Sequence, residues 1–373
     1  SPEDITLCDP ACGSGHILVY AFELLFAMYE ERGYREREIP ELILTKNLAG
    51  MEIDPRAAQI AELALAMCAR EHDRRFFRRG VRADVTVLTS IPLGEDELPG
   101  NKKLAEELSH LGEIGSLLNP SEDEIDELKA AAVSCSDDLF ASATKTKLEC
   151  AAAICEKLSR RFTCVVANPP YMGSSSFNPF MSKWIKKNYP DVKSDLFSSF
   201  VVRMFSLAKD HGECGVMSPF VWMFIGSYEK LRNEIIDNRT LTSLIQLEYS
   251  GFAGATVPIC TYTFHNSFVK GYKGGYVRLS DFVGAAVQAP KALEAIRNPG
   301  CGWFYRRDAE TFKQIPGTPI AYWLGQGARL SFKEGTPLSV ISSLAQGLKC
   351  GDTDLFVRCW FECSNRDVLG VTG

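Results

Sequence analysis

The 373-residue chain is predicted to fold as an α/β protein with a doubly wound sheet, on three observations. Apolar runs of strand length alternate with helix-period segments from about residue 5 to 265. The first run, "ITLC", turns directly into a glycine-containing loop, "DPACGSGH", with a helix behind it. The second, "NLAGME", ends on an acidic tip before another helix.

The elements follow in order. A helix starts at Ile17, with Leu18, Ala21, Leu24, Leu25 and Met28 at helical spacing. Pro40 opens a short second helix through Leu44, and "NLAGMEIDP" is the second strand with its tip. Asp54 caps a helix that begins at Pro55 and carries Arg56 to Arg70. "VTVLTSIP" is a third strand. A helical insert covers about 101–161, with a capping box at Ser121-x-x-Glu124. A strand at 163–167 runs into "NPPY". "SDLFSSFVVRMFSLAKDHG" is a helix capped by Ser194 or Asp195 and stopped by Gly212. "GECGVMSP" is a strand, "SYEKLRNEIIDN" a helix, and "LTSLIQLEY" and "VPICTYTFH" a strand pair. After about 270, Gly, Pro and aromatic residues become frequent, which puts a boundary near 275–330.

Hydrophobic residues make up 46% of the chain, enough for a large core. The net charge of -6 lacks the basic bias of a nucleic-acid binder. A DNA contact therefore needs a local basic stripe, or sequence beyond this chain. The 13 cysteines include no C-x-x-C pair, and the five histidines form no metal constellation, so no metal is expected. The sequence shows no signal peptide and no bilayer-length apolar run, so free thiols in a reducing cytoplasm are expected. The first residue is Ser1, a motif follows within eight residues, and "DVLGVTG" has no closing pattern. A fragment of a longer protein is expected.

Three stretches carry chemistry. Gly13 and Gly15 let backbone N–H groups approach a ligand at a helix N-terminus. Leucine at position 18 rules out the dinucleotide G-x-G-x-x-G. The string Asp9-Pro10-Ala11-Cys12-Gly13-Ser14-Gly15 resembles the first motif of S-adenosylmethionine-dependent amino-methyltransferases. That resemblance implies a Rossmann-like mixed sheet with helical inserts, and a loop that holds the methionine end of S-adenosyl-L-methionine. Glu52, at the next strand tip, is the candidate acceptor for both ribose hydroxyls, and Ile53 is the candidate packing surface for the cofactor adenine. Glu52 lies farther from Asp9 than the fingerprint spacing of about 20 residues. The short helix after Pro40 accounts for the excess.

The third stretch is "VVANPPYMG", where a strand ends in Asn168-Pro169-Pro170-Tyr171. A plain proline turn is one reading. The resemblance implies the other, methyl transfer to an exocyclic amine. The lone pair of such an amine is delocalised into its ring. Hydrogen bonds from its N–H groups to Asn168 Oδ1 and the Pro169 carbonyl would localise that pair, with no strong base needed. Pro169 and Pro170 stiffen the loop, and Tyr171 can stack on a base flipped from the duplex. Phe252 is a second candidate for stacking, or a core residue. The family often has an acid after its third strand to read cofactor adenine. Here "VTVL" is followed by Thr89-Ser90, so none is assigned. "KWIKKNYPDVKSD" (183–195) is a phosphate-contacting face or a solvated one.

Wider strings narrow the resemblance. "LCDPACGSGHILVYAFELLFAMYEERGY", "NPPYMGSSSFNPFMSKWIKKNYPDVKSDLFSSFV", "FVWMFIGSYEKLRNEII" and "QGLKCGDTDLFVRCWFE" resemble the PglX-like adenine methyltransferases of BREX-type phage-resistance systems, which have a gamma-type N6-adenine methyltransferase core. This implies a site-specific DNA adenine-N6 methyltransferase acting in host DNA marking and phage defence. Its partners would be double-stranded DNA with a flipped adenine and other proteins of the system, with no membrane. Residues 1–275 would be the catalytic domain. Residues 276–373 would be a linker and the truncated start of a target-recognition domain. The alternatives are a protein glutamine methyltransferase, a fused type II restriction–modification enzyme, and a non-catalytic cofactor-binding scaffold.

Overall fold

The computed structural model describes residues 1–94, 96–135, 139–249, 251 and 257–343. Ser1–Leu324 form one compact unit and Gly325–Gly373 a second. In the second, the described helices are α12 (Gln326–Glu334) and α13 (Leu338–Ile341). The first unit holds the doubly wound mixed sheet. Its strands are β1 (Leu7–Asp9), β2 (Leu48–Glu52), β3 (Val85–Val87), β4 (Phe162–Ala167), β5 (Ala208–Pro219), β6 (Thr240–Gln246), β7 (Ile259–His265), β8 (Lys273–Arg278) and β9 (Phe304–Asp308). Their order across the sheet is β3-β2-β1-β4-β5-β7-β6-β8-β9.

Strands β3 to β5 in that order are parallel, and β7 enters antiparallel between β5 and β6. The chain first builds outward from β1 to β2 and β3, then returns to the other side of β1 with β4. The β1/β4 junction is therefore the point where strand order reverses, and the crevice outside the carboxyl ends of such strands is the usual ligand site. β8 pairs with β6 and β9 with β8, so the sheet runs past residue 275.

On one face α1 (His16–Glu31) and α3 (Pro55–His72) cover β1 to β3, with Phe22, Tyr29, Ala61 and Leu65 buried between them. Asp54 caps α3 by accepting from Arg56 N at 2.9 Å, as its sequence position suggested. α2 (Ile39–Leu42) continues as a wider π turn over Ile43–Asn47. The insert between β3 and β4 is helical as expected: α4 (Lys102–Ser109), α5 (Leu111–Ile114), α6 (Glu122–Ser134) and α7 (Leu139–Ser159). The capping box at Ser121 and Glu124 is formed.

α8 (Pro179–Asn188), α9 (Leu196–Leu207) and α10 (Glu229–Asn238) follow, and α11 (Ala285–Arg297) connects β8 to β9. Asp195, not Ser194, caps α9. The helix stops at Leu207 rather than Gly212, because β5 begins at Ala208. Gly212 sits where β5 and β4 slip register, and a Cβ there would lie 2.9 Å from Lys209 O and 3.0 Å from Thr163 O. "VTVLTSIP" yields strand only over Val85–Val87.

Candidate active site

Strand register places the three motifs on one edge. Asp9 pairs with Gly50 on one side of β1, and Cys8 with Val165 on the other. Glu52 and Asn168 thus each lie two residues beyond the level of Asp9, roughly 6–7 Å further along neighbouring strands. The switch point brings all three together.

Asp9 is 1% exposed, and its Oδ1 accepts from Ala11 N at 3.1 Å. Burial pushes its carboxyl up to about 7, the Ala11 N–H opposes that, and the nearby Glu52 charge adds to it. Glu52 is taken up by backbone. Its Oε2 accepts from Gly13 N at 2.8 Å, and its Oε1 from Ile53 N and Asp54 N, both at 2.9 Å. A carboxylate has about four acceptor positions, so roughly one is left on Oε2. Gly15 is left-handed (φ 86°) and starts α1, and a Cβ there would meet Ala61 Cβ at 2.9 Å. Its missing side chain lets α1 close on α3, which steadies the loop it ends.

On the other side of β1, Tyr171 Oη donates to Asn168 Oδ1 at 2.8 Å and lies 3.3 Å from Met217 O. Tyr171 is 37% exposed, and burial of its ring pushes the phenol up to about 12, so it stays a neutral donor. The next residues are latched to α9. Met172 N donates to Asp195 Oδ1 at 3.2 Å, and Leu196 N to Met172 O at 2.9 Å.

A cavity of about 270 Å³ joins the two sides. Pro10, Ala11, Glu52, Ile53, Asn168 and Pro170 border it. Asp9, Gly13, Gly15, Pro169 and Tyr171 belong to the same loops but do not border it. Leu196 and Phe200 of α9 close one side. Phe252 lies outside the described residues.

One wall was not anticipated. Glu113, Ile114, Gly115 and Ser116, from the middle of the insert, face the strand tips across the cavity. Gly115 adopts φ 58°, and a Cβ on it would lie 2.9 Å from Ile53 Cγ2. Only glycine fits there. Ser116 Oγ donates to Pro10 O at 2.5 Å. Glu113 accepts from Asn178 Nδ2 and pairs with His110 Nδ1 at 2.9 Å, and these two contacts, Asn178 first, hold its carboxyl below the usual range. His110 also stacks on Phe180 at 3.7 Å between ring centres. The insert is thereby tied to the first motif loop at Pro10 and to the start of α8 at Asn178 and Phe180. A glycine pair in an otherwise helical stretch, "LGEIGS", was the available signal.

Asp84, just before β3, bonds Lys157 Nζ at 2.7 Å and Arg160 Nη1 at 2.6 Å, which is a structural role. In α8, Met181, Trp184 and Ile185 are buried, while Lys183, Lys186 and Lys187 are exposed. Among the described residues no cluster of His, Cys, Asp and Glu could hold a metal, and no helix is long and apolar enough to cross a membrane.

The site combines a buried carboxyl, a carboxylate with one spare acceptor, apolar walls and an amide acceptor at the far end. The spare acceptor on Glu52 and the apolar walls suit a ligand with a hydroxyl-bearing part and an apolar part, with the Asp9 carboxyl behind the wall at Pro10. Comparisons with known proteins agree in type. The chain is 34% identical over 418 aligned residues to the adenine-specific methyltransferase BrxX of Escherichia coli O9:H4 (strain HS), covering 99% of this chain and 34% of that protein. It is 32% identical over 384 residues to the adenine-specific methyltransferase PglX of Lacticaseibacillus casei (strain Zhang), covering 96% of this chain and 32% of that protein. The chain thus spans about a third of the length of these curated relatives. The fold resembles the Type ISP restriction-modification enzyme LlaGI, solved as a nuclease-deletion mutant with a DNA substrate mimic. There the TM-score is 0.51 and the identity 14%, over 77% of this chain and 22% of that one. The Type ISP enzyme LlaBIII bound to DNA gives a TM-score of 0.51 at 12% identity, over 81% and 19%. Residues 46–252, which hold β2, the insert wall and Asn168–Tyr171, match the model of the Eco57I restriction-modification methylases, and the chain belongs to that family.

Proposed function

We propose that this chain is the catalytic core of a site-specific DNA adenine-N6 methyltransferase that uses S-adenosyl-L-methionine in host DNA marking and phage defence. The observation that carries this reading is that Glu52 and Asn168 border one cavity at the switch point of the sheet. Family membership and the names of both curated relatives support it.

Bound S-adenosylmethionine supplies an electrophilic methyl group. The chain's residues bind and orient. Asp9, a buried carboxyl with no ion-pair partner among the described residues, has the character to meet the positively charged methionine end. Glu52 offers its free acceptor position to the ribose, and Ile53, 46% exposed and backed by Gly115, offers a flat apolar surface to the adenine. Asn168 Oδ1 and the Pro169 carbonyl accept the N–H groups of the target amine, which localises its lone pair. Tyr171 Oη takes one of the two acceptor positions of Asn168 Oδ1 and leaves the other for the amine, and the Tyr171 ring would lie against the flipped base. Residues 276–373 would begin the target-recognition region, and double-stranded DNA and other proteins of the defence system would be the partners.

The test is incubation of the full-length protein and its system partners with labelled cofactor and host DNA. N6-methyladenine in the DNA is the expected product. Label on protein and none on DNA would overturn the reading in favour of a glutamine methyltransferase.

A further inference from the structure

Arg203 of α9 is 1% exposed, and no carboxylate pairs with it among the described residues. A buried cation without a counter-ion is costly and needs its donors satisfied. Nε donates to Ser116 O at 2.8 Å, Nη1 to Asn119 Oδ1 and Ser206 Oγ, each at 2.6 Å, and Nη2 to Leu158 O at 2.5 Å. Ser116, Asn119 and Leu158 all belong to the insert. Burial draws the guanidinium down to about 10, still charged at neutral pH, so these are charge-assisted bonds.

Ser116 is the link. Its carbonyl accepts from Arg203, and its hydroxyl donates to Pro10 O. A hydrogen-bonded path therefore runs from α9 through the insert turn to the first motif loop. The turn is also held at its flanks, by Gly112 N donating to Ser90 Oγ at 3.1 Å, Tyr189 Oη donating to Leu117 O at 2.6 Å and the buried Ile114 and Leu117 side chains, but only Ser116 joins Arg203 to the first motif loop among the described residues. Gly115 has a glycine-only backbone conformation, and Glu113 at the other end is held through Asn178. Nothing in the Asp9 loop, Glu52 or the Asn168 loop demands an arginine two turns into α9.

We propose that Arg203 is a positioning residue. Through Ser116 it clamps the insert turn Glu113–Ser116 against the Asp9–Gly15 loop, and so sets the affinity of the cavity for the adenosyl part of its ligand. This rests on the reading of the cavity as the S-adenosylmethionine site. Arg203 does not border the cavity and takes no part in methyl transfer.

The experiment compares full-length wild type with Arg203→Met, Arg203→Lys and Ser116→Ala. Amide hydrogen exchange is measured without ligand, and S-adenosylmethionine binding by calorimetry. In Arg203→Met, exchange across residues 111–119 is expected to rise about tenfold or more, with β1, β2 and β4 unchanged, and the Kd to weaken about tenfold. Arg203→Lys keeps the charge and fewer donors, so it should fall between the two. Ser116→Ala leaves Arg203 in place and loses only the tie to Pro10, so it should weaken binding without raising exchange elsewhere. It decides the matter if Arg203→Met fails to fold. Wild-type exchange across 111–119, or a wild-type Kd in Arg203→Met and Ser116→Ala alike, overturns the clamp. A wild-type protein that binds no S-adenosylmethionine overturns the reading of the cavity, while the exchange arm still decides whether Arg203 holds the turn.

Discussion

Titrating S-adenosylmethionine binding between about pH 5 and 9 probes Asp9 directly. Its carboxyl stands at about 7 against an ordinary value of 3.8, chiefly through burial. Below pH 7 the free protein therefore holds a proton there. If the cationic methionine end of the cofactor reaches Asp9, as proposed, it would draw that pKa down, and binding below pH 7 would expel the proton. Affinity should rise with pH by up to about tenfold per unit, the ~1.4 kcal/mol that one proton is worth, and level off above about pH 8. Unfolding of the free protein should show the opposite slope. The folded state keeps a proton that the unfolded state has lost between pH 3.8 and about 7. Stability from this group is therefore greatest at low pH and falls as pH rises through that window, by roughly 4 kcal/mol at most. Calorimetry in two buffers of different ionisation enthalpy counts the released protons, and denaturant melts give the second slope. Asp9→Asn should flatten both. Affinity independent of pH, or proton uptake on binding, would refute the reasoning.

Other expected outcomes concern the neighbouring residues. Asn168→Ala should lower kcat by about 10²–10³-fold while cofactor affinity by calorimetry stays near wild type, since it removes the amide acceptor alone. Tyr171→Phe keeps the ring and loses only the hydroxyl contacts to Asn168 Oδ1 and Met217 O, so DNA KM should hold. Tyr171→Ala should raise DNA KM by roughly 5–150-fold, equivalent to the ~1–3 kcal/mol of one stacked base. Gly15→Ala puts a Cβ 2.9 Å from Ala61 Cβ at φ 86°, so thermal melts should show a loss of about 1–3 kcal/mol. Glu52→Gln leaves an NH₂ facing either Gly13 N–H or the Ile53 and Asp54 N–H pair. It should weaken cofactor binding by about 1.5–3 kcal/mol in the same calorimetric titration.

The strand tips were legible in the sequence because each is a local event. An apolar run meets a glycine turn at Asp9–Gly15, an acid at Glu52 and a proline pair at Pro169, and α/β topology puts such tips on one edge. The wall opposite was not legible. Ser116 meets Pro10 across a separation of 106 residues, inside a stretch whose periodicity says only helix. The close approach of Gly115 to Ile53, which leaves no room for a Cβ, is a long-range contact that no local pattern reveals. The end of α9 was misread because a glycine in a strand irregularity looks like a glycine that stops a helix. The antiparallel entry of β7 between β5 and β6 also had no signal, since alternation identifies strands but not their neighbours.

The insert is also the connection that carries the chain from β3, beyond β2, back to β4 on the far side of β1. The segment that sets the topology is the one that finishes the pocket. For anyone building chimeras between relatives, this sets where the cuts fall. Strand tips moved without residues 101–161 would arrive facing a foreign wall, with no Ser116 to hold Pro10 and no glycine to clear Ile53. The natural unit of exchange runs from Asp9 through Arg203, although the Asn168–Tyr171 tetrapeptide occupies only four of those positions.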